Sequence, residues 1–374
     1  MRRNVWSFAL VVAIIKCADI PQLPKRGTWF EINTYRLSHS FNFKLNPFRF
    51  RVSVLKVSIV IPLYNKAPYV KRALDSITAQ TLADFEVLVV DDGSTDDGAS
   101  TVAGYPDPRV RLLTQLNAGP GQARNTGVAA AQAELVAFLD ADDEWLPTYL
   151  EESVNSLESL GPEVASVTSG YLEFPLGRSK KEMWQKRGIK EGTFCLNPET
   201  SASLAVSMLA YMTPPSTLVR TEVIRKWGGF YSFGKCLFAE DAYLWLKVLL
   251  NETVAFNLEP LVKIHREASA LSKNLHRVRP VEPFLIEPYG IESACPGPLR
   301  NLLRSILAIR AAKTACVLGY WGQWQEARLI MERFTTWKDW QLPYYAPALI
   351  CSSPVGAALG KTWRGVNAIF DRRE

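Results

Sequence analysis

The sequence predicts an α/β fold, with a mostly parallel sheet carrying helices on both faces and a C-terminal helical extension. Three observations support this. From Lys56 onward, short apolar runs of strand type alternate with amphipathic helical patterns. The runs are apolar at nearly every position, as expected of parallel strands covered on both faces. From about residue 298 the pattern is helical alone.

"VSIVIPLYN" (57–65) is the first strand, and "YVKRALDSITAQ" after it sets Val70, Ala73, Leu74 and Ile77 on one helical face. "FEVLVVDDGS" (85–94) is a second buried strand that ends in acids, with a helix expected from Thr95, and "RVRLLTQ" (109–115) is a third. "GPGQARNTGVAAAQAE" (119–134) is a turn feeding an Ala-rich helix, and "LVAFLDADDEWLP" (135–147) opens with the fourth strand. A helix over 148–160, a polar stretch at 177–200 and the turn "TPPS" before strand "TLVR" follow. "WGGFYSFGKCLFAEDAYLWLKVLL" (227–250) is a Gly-rich loop running into a helix with a core stripe of Leu244, Trp245, Val248 and Leu249. Two further helices flank Gly319–Gly322, and Trp145, Trp245, Trp321 and Trp324 are read as core.

The 374 residues allow two domains, or one large domain with an appendage. The expected division is an extension over 1–55, a catalytic α/β domain over 56–272 and helices over 273–374. The formal charge is +6, but residues 1–56 hold an excess of +8 and the rest about −2, which excludes a basic nucleic-acid binder. Six scattered cysteines without a CxxC pair point to free thiols in a reducing compartment, and three histidines exclude a His-rich metal site. "VWSFALVVAII" after "MRRN" is shorter than the roughly 20 residues of a membrane span. It reads as a start placed upstream of a domain opening at Val54, as a membrane-associating anchor, or as a signal.

In open parallel sheets ligands bind beyond the carboxyl ends of the strands. Asp91 and Asp92, and Asp140, Asp142 and Asp143, fall at two such ends, so both acid clusters are expected at one crevice. Like charges this close repel and raise one another's pKa, which calls for a compensating cation. "GPGQAR" breaks the dinucleotide fingerprint at its third glycine, which excludes an NAD-dependent enzyme of that type. Taken alone, "DDGSTDDG" is equally a turn, Arg124 a partner for a neighbouring acid, Glu240 and Asp241 a helix cap, and His265 a satisfied loop histidine.

Taken together and in order, "VSIVIPLYNK", "FEVLVVDDGSTDDG", "NAGPGQARNTG", "AFLDADDEWLP", "TPPSTLVR", "GGF" and "AEDAYLWLKV" resemble the family 2 glycosyltransferases, over roughly residues 56–272. The resemblance implies a GT-A fold with a Rossmann-like sheet, a DXD motif and an inverting transfer of one sugar. The donor would be a nucleoside diphosphate-sugar, most simply a UDP-sugar, and the acceptor a carbohydrate or lipid-linked sugar hydroxyl. It implies Mg²⁺ or Mn²⁺ at Asp142 with His265 near the diphosphate, and Asp140 toward the ribose or a metal-bound water. Pro62, Tyr64, Asn65 and Asp92 would line the base pocket, with Arg124 and Asn125 near the pyrophosphate. Asp241 would be the general base, aided by Glu240, and Asp91 a support for the turn. The setting implied is polysaccharide or glycolipid synthesis in the cytoplasm or at the inner face of a membrane, without nucleic acid. A nucleotidyltransferase shares the sheet type and the metal but should carry a Gly-rich, basic loop where "PLYNKAPYV" stands. An inactive nucleotide-sugar-binding protein is the other reading, against which both acid motifs argue.

Overall fold

Residues 55–268, 281–356 and 358–360 are described in the computed structural model. Apart from Leu55, the N-terminal extension and its three readings lie outside them. The first half alternates as expected, through β1 (Val57–Leu63), α1 (Ala67–Thr78), β2 (Phe85–Asp91), α2 (Gly98–Ala103), β3 (Val110–Thr114), α3 (Pro120–Ala130) and β4 (Leu135–Phe138). Next come β5 (Glu144–Trp145), α4 (Tyr149–Leu160), β6 (Val164–Phe174), β7 (Arg178–Ser179), α5 (Lys181–Lys186) and β8 (Gly192–Phe194). After them come α6 (Ala202–Tyr211), β9 (Thr217–Arg220), α7 (Thr221–Lys226), α8 (Glu240–Asn251) and β10 (Thr253–His265). The C-terminal part holds α9 (Pro283–Ile286), α10 (Tyr289–Glu292), α11 (Arg300–Tyr320), α12 (Trp324–Phe334) and α13 (Tyr345–Cys351).

All ten strands join one sheet, in the order β3-β2-β1-β4-β9-β6-β10-β5, with β7 beside β6 and β8 beside β10. Strands β1 to β4 pair parallel, and β6 pairs parallel with β10. Between these two blocks β9 runs antiparallel to both β4 and β6, so the sheet is mixed though mostly of one direction. The turn at Pro214–Ser216 leads directly from α6 into β9. Parallel register brings the carboxyl ends of β1, β2 and β4 to one edge, where the acid motifs begin.

Local chemistry sets the boundaries. The helix expected from Thr95 begins at Gly98, because Asp96 forms a turn by accepting from the Gly98 amide (3.0 Å) and also accepts from the Ala67 amide of α1 (2.9 Å). The polar stretch 177–200 is structured, and its Trp184 is buried edge-on against Tyr211 at 5.3 Å. Trp145 and Trp245 are core as expected, whereas Trp321 and Trp324 are only half-buried. The C-terminal helices belong to the same compact unit as the sheet, Leu55–Glu374, with α11 packed against α6. Buried Glu282 ties that region together, accepting from Arg310 and Thr314 at 2.5 Å each. No helix among the described residues is long and apolar enough to cross a membrane.

Helix α3 lies close on β1 because residue 127 has no side chain: a Cβ there would stand 2.3 Å from Val60 Cγ1. Val60 is β-branched and cannot turn away freely. Gly127→Ala is therefore expected to destabilise the fold by about 1–3 kcal/mol despite the better helix propensity of alanine. The urea midpoint reads this directly. Gly104→Ala, whose Cβ would have no neighbour nearer than 3.5 Å, serves as the silent control.

Candidate active site

The site grows from the carboxyl edge of the sheet. At the end of β1, Tyr64 is 46% exposed, Pro62 is half-buried beside it, and Asn65 turns the chain with a left-handed φ of 51°. Asn65 Oδ1 accepts from the Thr95 amide at 2.8 Å, which ties this turn to the one after β2. Asp91 accepts from the Ser94 amide (3.1 Å), so it supports the turn. Asp92 accepts from Gln115 Nε2 (2.7 Å) and from the amides of Ala118 and Gly119 (2.8 Å each). A carboxylate has about four lone-pair sites, so one remains for a further donor.

Arg124 points from α3 into the gap between the loop after β4 and the start of α8, and is almost fully buried. Its guanidinium donates to Asp140 and to Glu240, at 2.7 Å each, and lies 5.3 Å from the centre of the Phe230 ring. Both acids raise its pKa further, so it stays charged there. Arg124 thus bridges two acids, one from the loop after β4 and one from the start of α8. Asn125 also serves structure: its amide donates to the Phe230 carbonyl and accepts from the Phe230 amide, both at 2.8 Å. This clamp fixes the Gly-rich loop where it approaches α3.

Ala239 adopts a left-handed φ of 53° and starts α8, setting Glu240 and Asp241 in the first turn, where the helix dipole favours acids. Asp241 is half-buried, with a face left open. Desolvation, then the charge of Glu240, push its carboxyl up to about 7, with Arg124 pulling the other way. That is the range of a general base working near neutral pH.

After β4 each acid has its own partner. Asp140 pairs with Arg124, and Asp142 with Lys66 of the β1–α1 turn. Asp143 accepts from the His265 amide at 2.8 Å, and its carboxyl is pushed well above the usual range by burial and by Asp140 and Asp142. Glu144 meets His265 Nε2 (2.7 Å), Arg72 (3.4 Å) and Lys263 (3.4 Å). The compensating cations are thus side chains brought from distant segments. His265 Nδ1 contacts Glu267 (2.8 Å), Nε2 contacts Glu144, and its ring stacks on Phe174 at 5.0 Å. Among the described residues, no group of three or more His, Cys, Asp or Glu is disposed to hold a metal. A hard divalent ion takes few protein oxygens and fills its shell with phosphate and water, so a lone carboxylate such as Asp142 is chemically suited to one.

Residues 58–211 match the family model "Glycosyl transferase family 2". That match spans less than half of the chain. Among curated relatives, the succinoglycan biosynthesis protein ExoW of Rhizobium meliloti is 43% identical over 123 residues, 31% of this chain and 39% of that protein. The uncharacterised glycosyltransferase alr2836 of Nostoc is 43% identical over 109 residues, 28% of this chain and 34% of that protein. The matches thus span about a third of these relatives' lengths. S. aureus TarS 1-349 in complex with UDP-GlcNAc superposes with a TM-score of 0.58 at 19% identity, covering 83% of this chain and 92% of that one. At that identity the likeness is one of fold.

The motif reading missed Lys66 and Arg72. Lys66 follows the strand motif directly, but nothing in the sequence marks its proximity to Asp142, 76 positions on. Asp96 and Gln115 were missed as well: Asp96 accepts from two backbone amides, and Gln115 bridges the side chains of Asp92 and Thr126.

The Arg124 bridge has a measurable consequence. Arg124→Met leaves two carboxylates facing each other in a buried site and is expected to cost about 3–5 kcal/mol, read as a lower denaturation midpoint. Adding Glu240→Gln, which removes one of the stranded charges, is expected to recover part of that loss.

Proposed function

We propose that the chain is an inverting glycosyltransferase that moves a single sugar from a UDP-sugar to a hydroxyl of a carbohydrate or lipid-linked acceptor. The work belongs to cell-surface polysaccharide or glycolipid synthesis, at the cytoplasmic side with peripheral contact at the membrane. The observation that carries this reading is Asp241: a carboxyl poised at about 7, half-open to the crevice, in the first turn of a helix that an acid-bound arginine anchors to the DXD loop. Two relatives are named for succinoglycan biosynthesis, and structures of the same fold carry UDP or UDP-GlcNAc.

In the reaction, the acceptor oxygen attacks the anomeric carbon as the bond to the diphosphate breaks, and Asp241 takes the acceptor's proton. An in-line geometry with the base opposite the leaving group produces inversion. The exposed Tyr64 ring stacks on the base, and the remaining lone pair of Asp92 accepts from it. Arg124 holds Asp140 toward the donor and Glu240 beside Asp241, where the charge of Glu240 keeps the base from becoming too weak a proton acceptor. Asp142 would hold Mg²⁺ or Mn²⁺, which supplies the charge to offset the departing diphosphate.

Asp142→Ala is expected to abolish the Mn²⁺ dependence of UDP binding, as measured by calorimetry with and without the ion. Asp241→Asn keeps shape but cannot take the proton, so turnover should fall about 10²–10⁴-fold with donor affinity little changed. In the parent, kcat/KM should rise with pH through about 7, as Asp241 loses its proton. The same value bears on stability. The folded-state pKa, about 7, lies above the ordinary 3.8, so this group's contribution is present at low pH and lost as pH rises through 7. Asp241→Asn should therefore raise the melting temperature more at pH 8 than at pH 5. Turnover within a few-fold of the parent would remove Asp241 from the mechanism.

A further inference from the structure

We propose that Lys66 is a resident counter-cation at Asp142, which a divalent ion must displace before it can bind there. The displaced ammonium is then taken up by the donor's diphosphate, so that ion and nucleotide bind as a coupled pair. The inference rests on Asp142 as the ion's ligand, as read above.

The charge pattern singles out this pair. Asp140 is held by Arg124, Glu144 by Arg72, Lys263 and His265, and Asp143 takes the His265 amide. The Asp142 carboxylate faces Lys66, while Arg72 donates to the Asp142 backbone carbonyl instead (2.5 Å). Both side chains are largely shielded from water, at 20% exposure for Lys66 and 12% for Asp142. A second hydrogen bond, from Nζ to the Ala268 carbonyl at 2.8 Å, holds the ammonium in place.

Two cations cannot share one carboxylate this closely without strong repulsion. A divalent ion arriving alone therefore has to push a partly desolvated ammonium away from its anion, leaving it without a charge partner. Lys66 sits next to Tyr64 and Asn65, on the turn that lines the base pocket. A nucleoside diphosphate entering there supplies the anion that the ammonium needs. Free ion should therefore bind weakly, and nucleotide should strengthen it by relieving this competition.

The test is Mn²⁺ titration of the full chain, followed by electron paramagnetic resonance, with and without UDP. Lys66→Met is expected to bind Mn²⁺ about tenfold tighter than the parent in the absence of UDP, and to lose most of the enhancement that UDP gives the parent. Lys66→Gln provides the same readout if the methionine variant folds poorly, and Lys66→Arg should behave as the parent. If the neutral variants bind Mn²⁺ no tighter than the parent while Asp142→Ala still abolishes binding, the ligand reading stands and the Lys66 proposal is overturned. If Asp142→Ala leaves Mn²⁺ binding intact, the ligand reading fails, and the Lys66 proposal with it.

Discussion

The site depends on one buried guanidinium. Arg124 joins α3, the loop after β4 and the first turn of α8, three segments that share no sequence neighbourhood. A charge enclosed this fully is tolerable only when paired and hydrogen-bonded, so its two acids are tied to their positions as firmly as it is to its own. The energetic constraint thus becomes a geometric one. Wherever α8 goes, Asp241 goes with it, at a set distance from the DXD loop.

Packing reinforces the same link. Phe230 lies between Arg124, Phe138 of β4 and Trp245 of α8, with ring centroids 4.9 Å and 5.8 Å away. Asn125 holds the backbone of Phe230 by both its amide and its carbonyl. A loop rich in glycine is thereby anchored at one end, while Phe233, near its middle, stays 83% exposed. The loop is thus exposed at its tip and held at its root.

Acid clustering at the sheet edge follows the same logic. Six acids stand close together in the DXD loop and the first turn of α8, and the fold answers them with basic groups from α1, α3 and the end of β10. Two carboxyls, Asp143 and Asp241, are left under-compensated, and both are pushed upward. One of these is enclosed beneath the loop, where a raised value has no partner to act on. The other, Asp241, keeps part of its surface exposed.

The alternating strands and helices, the acids at strand ends and the αβ-to-helical change near residue 298 were all legible in the sequence. Each rests on local periodicity or on the direction in which a parallel strand must run. The sequence could not show that β9 would turn back between β4 and β6, since strand direction depends on which neighbour completes the sheet. Nor could it assign the cations. Arg124 and His265 stand within motifs, whereas nothing in the sequence singled out Lys66 or Arg72. Which carboxylate each one meets was decided by tertiary structure alone, because Coulomb attraction and desolvation act through space, and the sequence carries no record of distance between residues 66 and 142.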